Sequence, residues 1–187
     1  MLNRFAQYLT LVLLVFLPGT LLAESRVNQG LATDFLQKIY NLMNNRNDDL
    51  VKKFFNYYTL PEARFIKTEI EIDNATGAEI NNTGINLSRD EYIAYISNRI
   101  KSPSKYLYNF GAVELKPNKN NDAIVSFHVD ETWVITMKDQ DLNKDIALRY
   151  SSSANCNMSV TLSSGDLQIS GLNCLAKVTS KKLDVNE

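Results

Sequence analysis

In the stretch Ala123 to Ile135 every second residue is apolar (Ala123, Val125, Phe127, Val129, Trp133 and Ile135), and Glu131 alone interrupts the set. Strand side chains alternate between faces, so Glu131 is expected among apolar neighbours. There desolvation raises a carboxyl's pKa and fits it for general acid or base work. Tyr150, on the following apolar-periodic stretch, is the candidate hydrogen-bond donor beside it. The two are the candidate catalytic residues of an isomerase- or dehydratase-like enzyme. A structural role competes: a bulge at Asp130 and Glu131 turns the carboxylate outward, or Tyr150 and a lysine satisfy it.

His128 and Asp130 share the other face of the same stretch, two residues apart, which suits a His–Asp pair. Their expected sheet neighbours are Ser, Thr and Asn, a solvated face with no nucleophile positioned to complete a triad. Asp139, Asp141, Asn143 and Asp145 alternate as in a calcium loop, yet Lys144 stands where such a loop needs glycine and Tyr150 where it needs glutamate. A solvated hairpin turn is expected there, and no metal is assigned. Phosphate-loop, dinucleotide-binding, zinc-protease and nucleophile-elbow patterns are missing from the sequence, so no cofactor is expected. The aromatic residues serve either as core or as the wall of an apolar ligand pocket. The expected lining is Phe54, Tyr58, Tyr92 and Trp133 together with Ser152.

Three helices and a set of long strands must position these groups. Leu31, Phe35, Ile39 and Leu42 recur at helical spacing, with Thr33 or Asp34 as caps. Asn47 caps a second helix that carries Leu50, Val51, Phe54, Phe55 and Tyr58 and that Pro61 closes. "RFIKTEIEID" reads as a half-buried peripheral strand, and Asp73 to Leu87 as a loop or short hairpin. Ser88 and Glu91 have capping-box spacing and open a third helix that ends before Pro103.

Everything after Tyr106 reads as strand. In "IALRYSSSANCNMSVTL" the inward residues are Ile146, Leu148, Tyr150, Cys156, Met158, Val160 and Leu162, and they shrink to Ser152 and Ala154 in the middle, which leaves room above a bend. A hairpin joining this strand to Ala123–Ile135 is expected to place Trp133 by Leu148, Glu131 by Tyr150, Val129 by Ser152 and Phe127 by Ala154. The last hairpin turns at "SSGD" and pairs Leu162 with Leu167 and Val160 with Ile169. Apolar parity flips after Ser170 and Gly171, which one extra residue at a glycine-tolerant bulge explains. Beyond the bulge Met158 meets Leu172 and Cys156 meets Cys174, so a cross-strand disulfide is predicted.

The N-terminal segment has Arg4, an apolar run from Leu9 to Leu17, the Pro18–Gly19 break and Ala23. It reads as a signal peptide over residues 1–23, the run being short for a membrane span, with an uncleaved anchor as the alternative. Residues 24–180 then form one domain and residues 181–187 a polar tail. Export to the periplasm or beyond suits an even cysteine pair. A net charge of −1 with interspersed signs gives no footprint for nucleic acid or an anionic membrane.

The order helix, helix, strand, loop, helix and then four strands resembles the NTF2-like (cystatin-like α+β) superfamily. The phrase "FLQKIYNLMNNRNDDLVKKFFNYYTLPEARFI" is similar to that family's opening. The resemblance implies N-terminal helices packed on the concave face of a strongly curved antiparallel sheet, a cone with a pocket inside. It implies either an enzyme with pocket Asp, His or Tyr residues or a binding or scaffold module. The pocket holds no histidine in this reading, and the expected function is a non-catalytic module binding an envelope protein or a small apolar ligand.

Overall fold

The computed structural model describes residues 26–102, 104, 106–118, 121–139 and 144–183, with the side chains of residues 139 and 144 left aside. The signal-peptide reading and the residues 140–143 of the acidic turn lie outside the described residues. Helix α1 (Gln29–Asn45) is capped by Asn28, whose side chain accepts from the Leu31 amide at 2.9 Å. Thr33 and Asp34 therefore lie inside the helix; the Thr33 hydroxyl donates back to the Gln29 carbonyl at 2.8 Å. The side-chain oxygen of an Asn before the first turn satisfies a free helix N–H, and Asn28 provides one five residues upstream of Thr33.

Helix α2 (Asp48–Tyr58) is capped by Asn47, and helix α3 (Arg89–Lys101) by the Ser88–Glu91 capping box. Arg46, in the left-handed conformation at φ 55°, ends α1, and its guanidinium donates to the carbonyls of Ile100 and Ser102 at 2.7 and 2.6 Å. Asp48 joins α2 to α3 by accepting from Ser97, Lys52 and Lys101. These hydrogen bonds and ion pairs hold its carboxyl well below the usual carboxylate range.

Six strands follow the order β2-β1-β6-β5-β4-β3, with β1 (Thr59–Ile72), β2 (Glu79–Ser88), β3 (Leu107–Pro117), β4 (Asp122–Asp139), β5 (Lys144–Ser163) and β6 (Asp166–Leu183). All neighbours are antiparallel except β1 and β6, which run parallel. The sheet is thus mixed at that one seam. A long connection through β2, α3, β3, β4 and β5 separates β1 from β6, so hairpin geometry does not dictate their direction.

β1 is an interior strand rather than a peripheral one, because the segment expected as loop or short hairpin forms the edge strand β2 after a turn in which Asp73 accepts from the Ala75 and Thr76 amides. Pro61 falls inside β1, between Thr59 and Arg64, where no β6 partners are registered and a missing N–H costs no ladder bond. β6 continues through Leu183, so the tail expected from residue 181 starts within the sheet: Ala147 pairs with Leu183.

β4 and β5 pair with Trp133 opposite Tyr150, Glu131 opposite Ser152, Val129 opposite Ala154 and Phe127 opposite Cys156. That is two residues along from the expected register. A two-residue slip keeps every side chain on its own face, so apolar parity alone does not discriminate between the two pairings. The β5–β6 pairs Leu162–Leu167, Val160–Ile169, Met158–Leu172 and Cys156–Cys174 agree with the sequence reading, with the irregularity at Ser170 and Gly171. The two sulfurs are bonded at 2.05 Å, with the Cα atoms 4.1 Å apart. The core lies between the concave sheet face and the helices, with Phe35, Val51, Phe55, Val125, Met158 and Ile169 among its buried members.

Candidate functional site

Where β5 narrows to Ser152 and Ala154, large side chains from the helices do not fill the concave side, and a cavity of about 130 Å³ remains. Its walls are largely apolar: Met43 of α1, Phe55 of α2, Ile96 of α3 and Val129, Met158 and Ile169 of the sheet. A cavity on the order of 150 Å³ with such walls takes a benzene-sized guest. One side of the cavity is ionic. Glu131, 5 % exposed, faces inward on β4; one carboxylate oxygen accepts from Arg99 of α3, and the other lies 3.6 Å from Lys67 of β1.

Arg99 also donates to the Tyr95 hydroxyl at 2.6 Å and lies over the Tyr106 ring, 4.3 Å from its centroid. Burial, the largest single influence, would lower the pKa values of both cations, but the Glu131 carboxylate and the surrounding tyrosines together outweigh it, with Glu69 adding for Lys67, and both are raised. Tyr108, across the β3–β4 register from Glu131, is pushed up by burial, with a hydrogen bond to Glu131 adding to the effect.

Tyr92 and Ser152 line this cavity along with Glu131. Tyr92 stacks on Phe65 with centroids 3.8 Å apart, and Ser152 is 4 % exposed opposite Glu131. Phe54 and Tyr58 are not in the wall: they pack with Phe35 on the α1–α2 side, Phe54 meeting the cavity-lining Phe55 edge-on, because α2 points Val51 and Phe55 inward instead. Trp133 is not part of the wall either; it stacks between Tyr106 and Tyr150 beyond the ionic group. The register places Tyr150 opposite Trp133, so the phenol in register with Glu131 is that of Tyr108, with Ser152 on the other flank.

Lys67, Arg99 and Tyr108 were absent from the sequence-derived site. Arg99 follows Tyr92 and Ile96 at the spacing of one helical face, and Lys67 shares strand parity with Phe65; both signals are readable once the inward face is known.

On the convex side His128 lies 3.1 Å from Asn155 through Nδ1, and 3.0 Å from both Asp130 and Ser153 through Nε2. A hydroxyl is therefore near the histidine, contrary to expectation. Asp130 shares the nitrogen that Ser153 approaches, so the three do not form a relay, and hydrogen bonds to Asn155 and Asp130 raise the imidazole pKa. Among the described residues no group of three His, Cys, Asp or Glu side chains is arranged to hold a metal ion. No helix among them is long and apolar enough to cross a membrane.

No protein-family model and no curated protein matches the chain. Solved structures do. A protein of Kribbella flavida aligns with a TM-score of 0.53 at 8 % identity, over 84 % of this chain and 94 % of that one. A chain of naphthalene 1,2-dioxygenase, described with indole bound in the active site, aligns with a TM-score of 0.53 at 11 % identity, over 93 % of this chain and 92 % of its own. The β subunit of benzoate 1,2-dioxygenase from Burkholderia mallei gives 0.51 at 13 % identity, over 81 % and 91 %. At such identities the likeness is one of fold. The chain has the α+β architecture of the NTF2-like cone, with three described helices against a curled six-stranded sheet.

Proposed function

We propose that this chain is an exported, non-catalytic module of NTF2-like fold that holds a small, mainly apolar ligand in the cell envelope. The observation that carries the reading is the cavity itself: about 130 Å³, walled mostly by Met, Ile, Phe and Val side chains and sized for a single ring. A general acid or base needs a carboxylate with room to meet substrate, and Glu131 instead has a cation facing each oxygen. The hydroxyl assigned to help it, that of Tyr150, is stacked against Trp133. Export is supported by the leader pattern and by the paired cysteines, since disulfides persist in oxidising compartments.

Native mass spectrometry of the protein purified from its own host is expected to show a retained small molecule that is lost on unfolding. Recovery of ligand-free protein only, with no thermal shift from benzene-sized additives, would overturn the reading.

A further inference from the structure

The cavity wall contains three charged side chains: two cations, Arg99 and Lys67, and one anion, Glu131. Their side chains are 14 %, 17 % and 6 % exposed, so all three are largely out of water. The second carboxylate near Lys67 is Glu69 at 2.6 Å, and its side chain is 37 % exposed. Lys67 is thus shared between Glu131 and the half-exposed Glu69, and among the three charged groups of the wall itself the cations outnumber the anion by one. A wall whose cations outnumber its anion favours an anionic guest of matching size over a neutral one.

The hydrogen bonding points the same way. Arg99 donates through one terminal nitrogen to Tyr95 and through the other to Glu131, while its Nε–H is buried without an acceptor. A buried donor on a charged group left unmade is costly, and a guanidinium edge is shaped for a carboxylate. The rings around the guanidinium, Tyr106 at 4.3 Å, Tyr95 at 5.4 Å and Trp133 at 5.7 Å, fix its plane.

We infer that the ligand is a small single-ring monocarboxylate, whose ring occupies the apolar part of the cavity and whose carboxylate accepts from Arg99 Nε beside Lys67. This rests on the ligand-holding function proposed above and narrows it to a chemical class. Glu131 then has a positioning role: it anchors Arg99 and Lys67 and limits the positive charge that the guest must neutralise. Binding involves no covalent step.

Calorimetric titration of the mature protein with benzoate and with its neutral counterpart benzyl alcohol, at pH 7 and low salt, tests the inference. Benzoate is expected to bind about tenfold or more tightly than benzyl alcohol, as a charge-assisted hydrogen bond to a desolvated guanidinium implies. Lys67→Met, which leaves the Arg99–Glu131 pair in place, is expected to reduce that preference severalfold. Glu131→Gln is expected to move the preference the other way, towards benzoate. Fluorescence of Trp133, the sole tryptophan, provides a second readout close to Arg99.

Equal or weaker binding of benzoate, or a preference that Lys67→Met leaves unchanged, overturns the carboxylate assignment. If benzyl alcohol binds and benzoate does not, the ligand-holding function stands and this inference alone falls. If neither binds, both fall.

Discussion

On the concave side of β4, Glu131 is almost fully buried and meets Arg99 and Lys67, both themselves mostly removed from water. On the convex side, one residue away, Asp130 and His128 meet each other at 3.0 Å with 54 % and 37 % of their side chains exposed. Both are ion pairs by distance, and they differ in what surrounds them. Water screens the outer pair and can replace either partner, whereas nothing solvates an inner charge whose partner is removed. The same strand, by alternation alone, thus presents one group of charges whose members depend on one another and another that is nearly dispensable.

The sharpest way to break this contrast is to delete the two neighbouring acids separately. Glu131→Ala strands the buried Arg99 and leaves Lys67 only Glu69, and is expected to cost about 3–5 kcal/mol in urea unfolding, whereas Asp130→Ala stays within about 0.5 kcal/mol. Similar losses for both would mean that the inner group is hydrated. Replacing Lys67, Arg99 and Glu131 together by apolar residues of similar volume is expected to recover most of the loss, because no unpaired charge remains.

The concave face has a second support in the disulfide. Replacing both Cys156 and Cys174 by Ala is expected to lower stability by about 3 kcal/mol, the chain-entropy value for a loop closed across a separation of 18 residues. Free-thiol labelling of unfolded, unreduced protein should find none; two reactive thiols would contradict the pairing.

Smaller effects separate the faces by pH. Asp48 ties α2 to α3 with a lowered pKa, so its contribution is complete above the unfolded carboxylate value near 3.8 and is lost as pH falls through the lower folded value. Asp48→Asn should therefore flatten the fall in Tm below about pH 4. His128 behaves oppositely. Its raised pKa gives stability that is complete below 6.5 and lost as pH rises through the folded value, and Asp130→Asn should bring its NMR titration back towards 6.5. With so exposed a pair, the accompanying change in Tm is expected to be the smallest in the series.

Much of the fold is legible in the residues. The parity of β4 and β5, the flip after Ser170, the meeting of Cys156 with Cys174 and the caps Asn47 and Ser88 all follow from local pattern. Less of the site is. The turn between β4 and β5 admits registers two residues apart, and that choice exchanges Tyr150 for Ser152 opposite Glu131. β1 alternates Lys and Glu against Ile and Thr, so composition leaves open which set faces inward until β2 and β6 flank it.

The sequence by itself determined which faces of β4, β5 and β6 are apolar, where the last strand changes parity and that a carboxylate stands on the inner side, because alternation and helical spacing are properties of neighbouring residues. Only the tertiary structure decided that Lys67 and Arg99 meet that carboxylate, that Tyr108 rather than Tyr150 lies beside it, and that the space over Ser152 and Ala154 stays open. Those contacts join segments tens of residues apart, and whether a charge is buried depends on every layer packed around it.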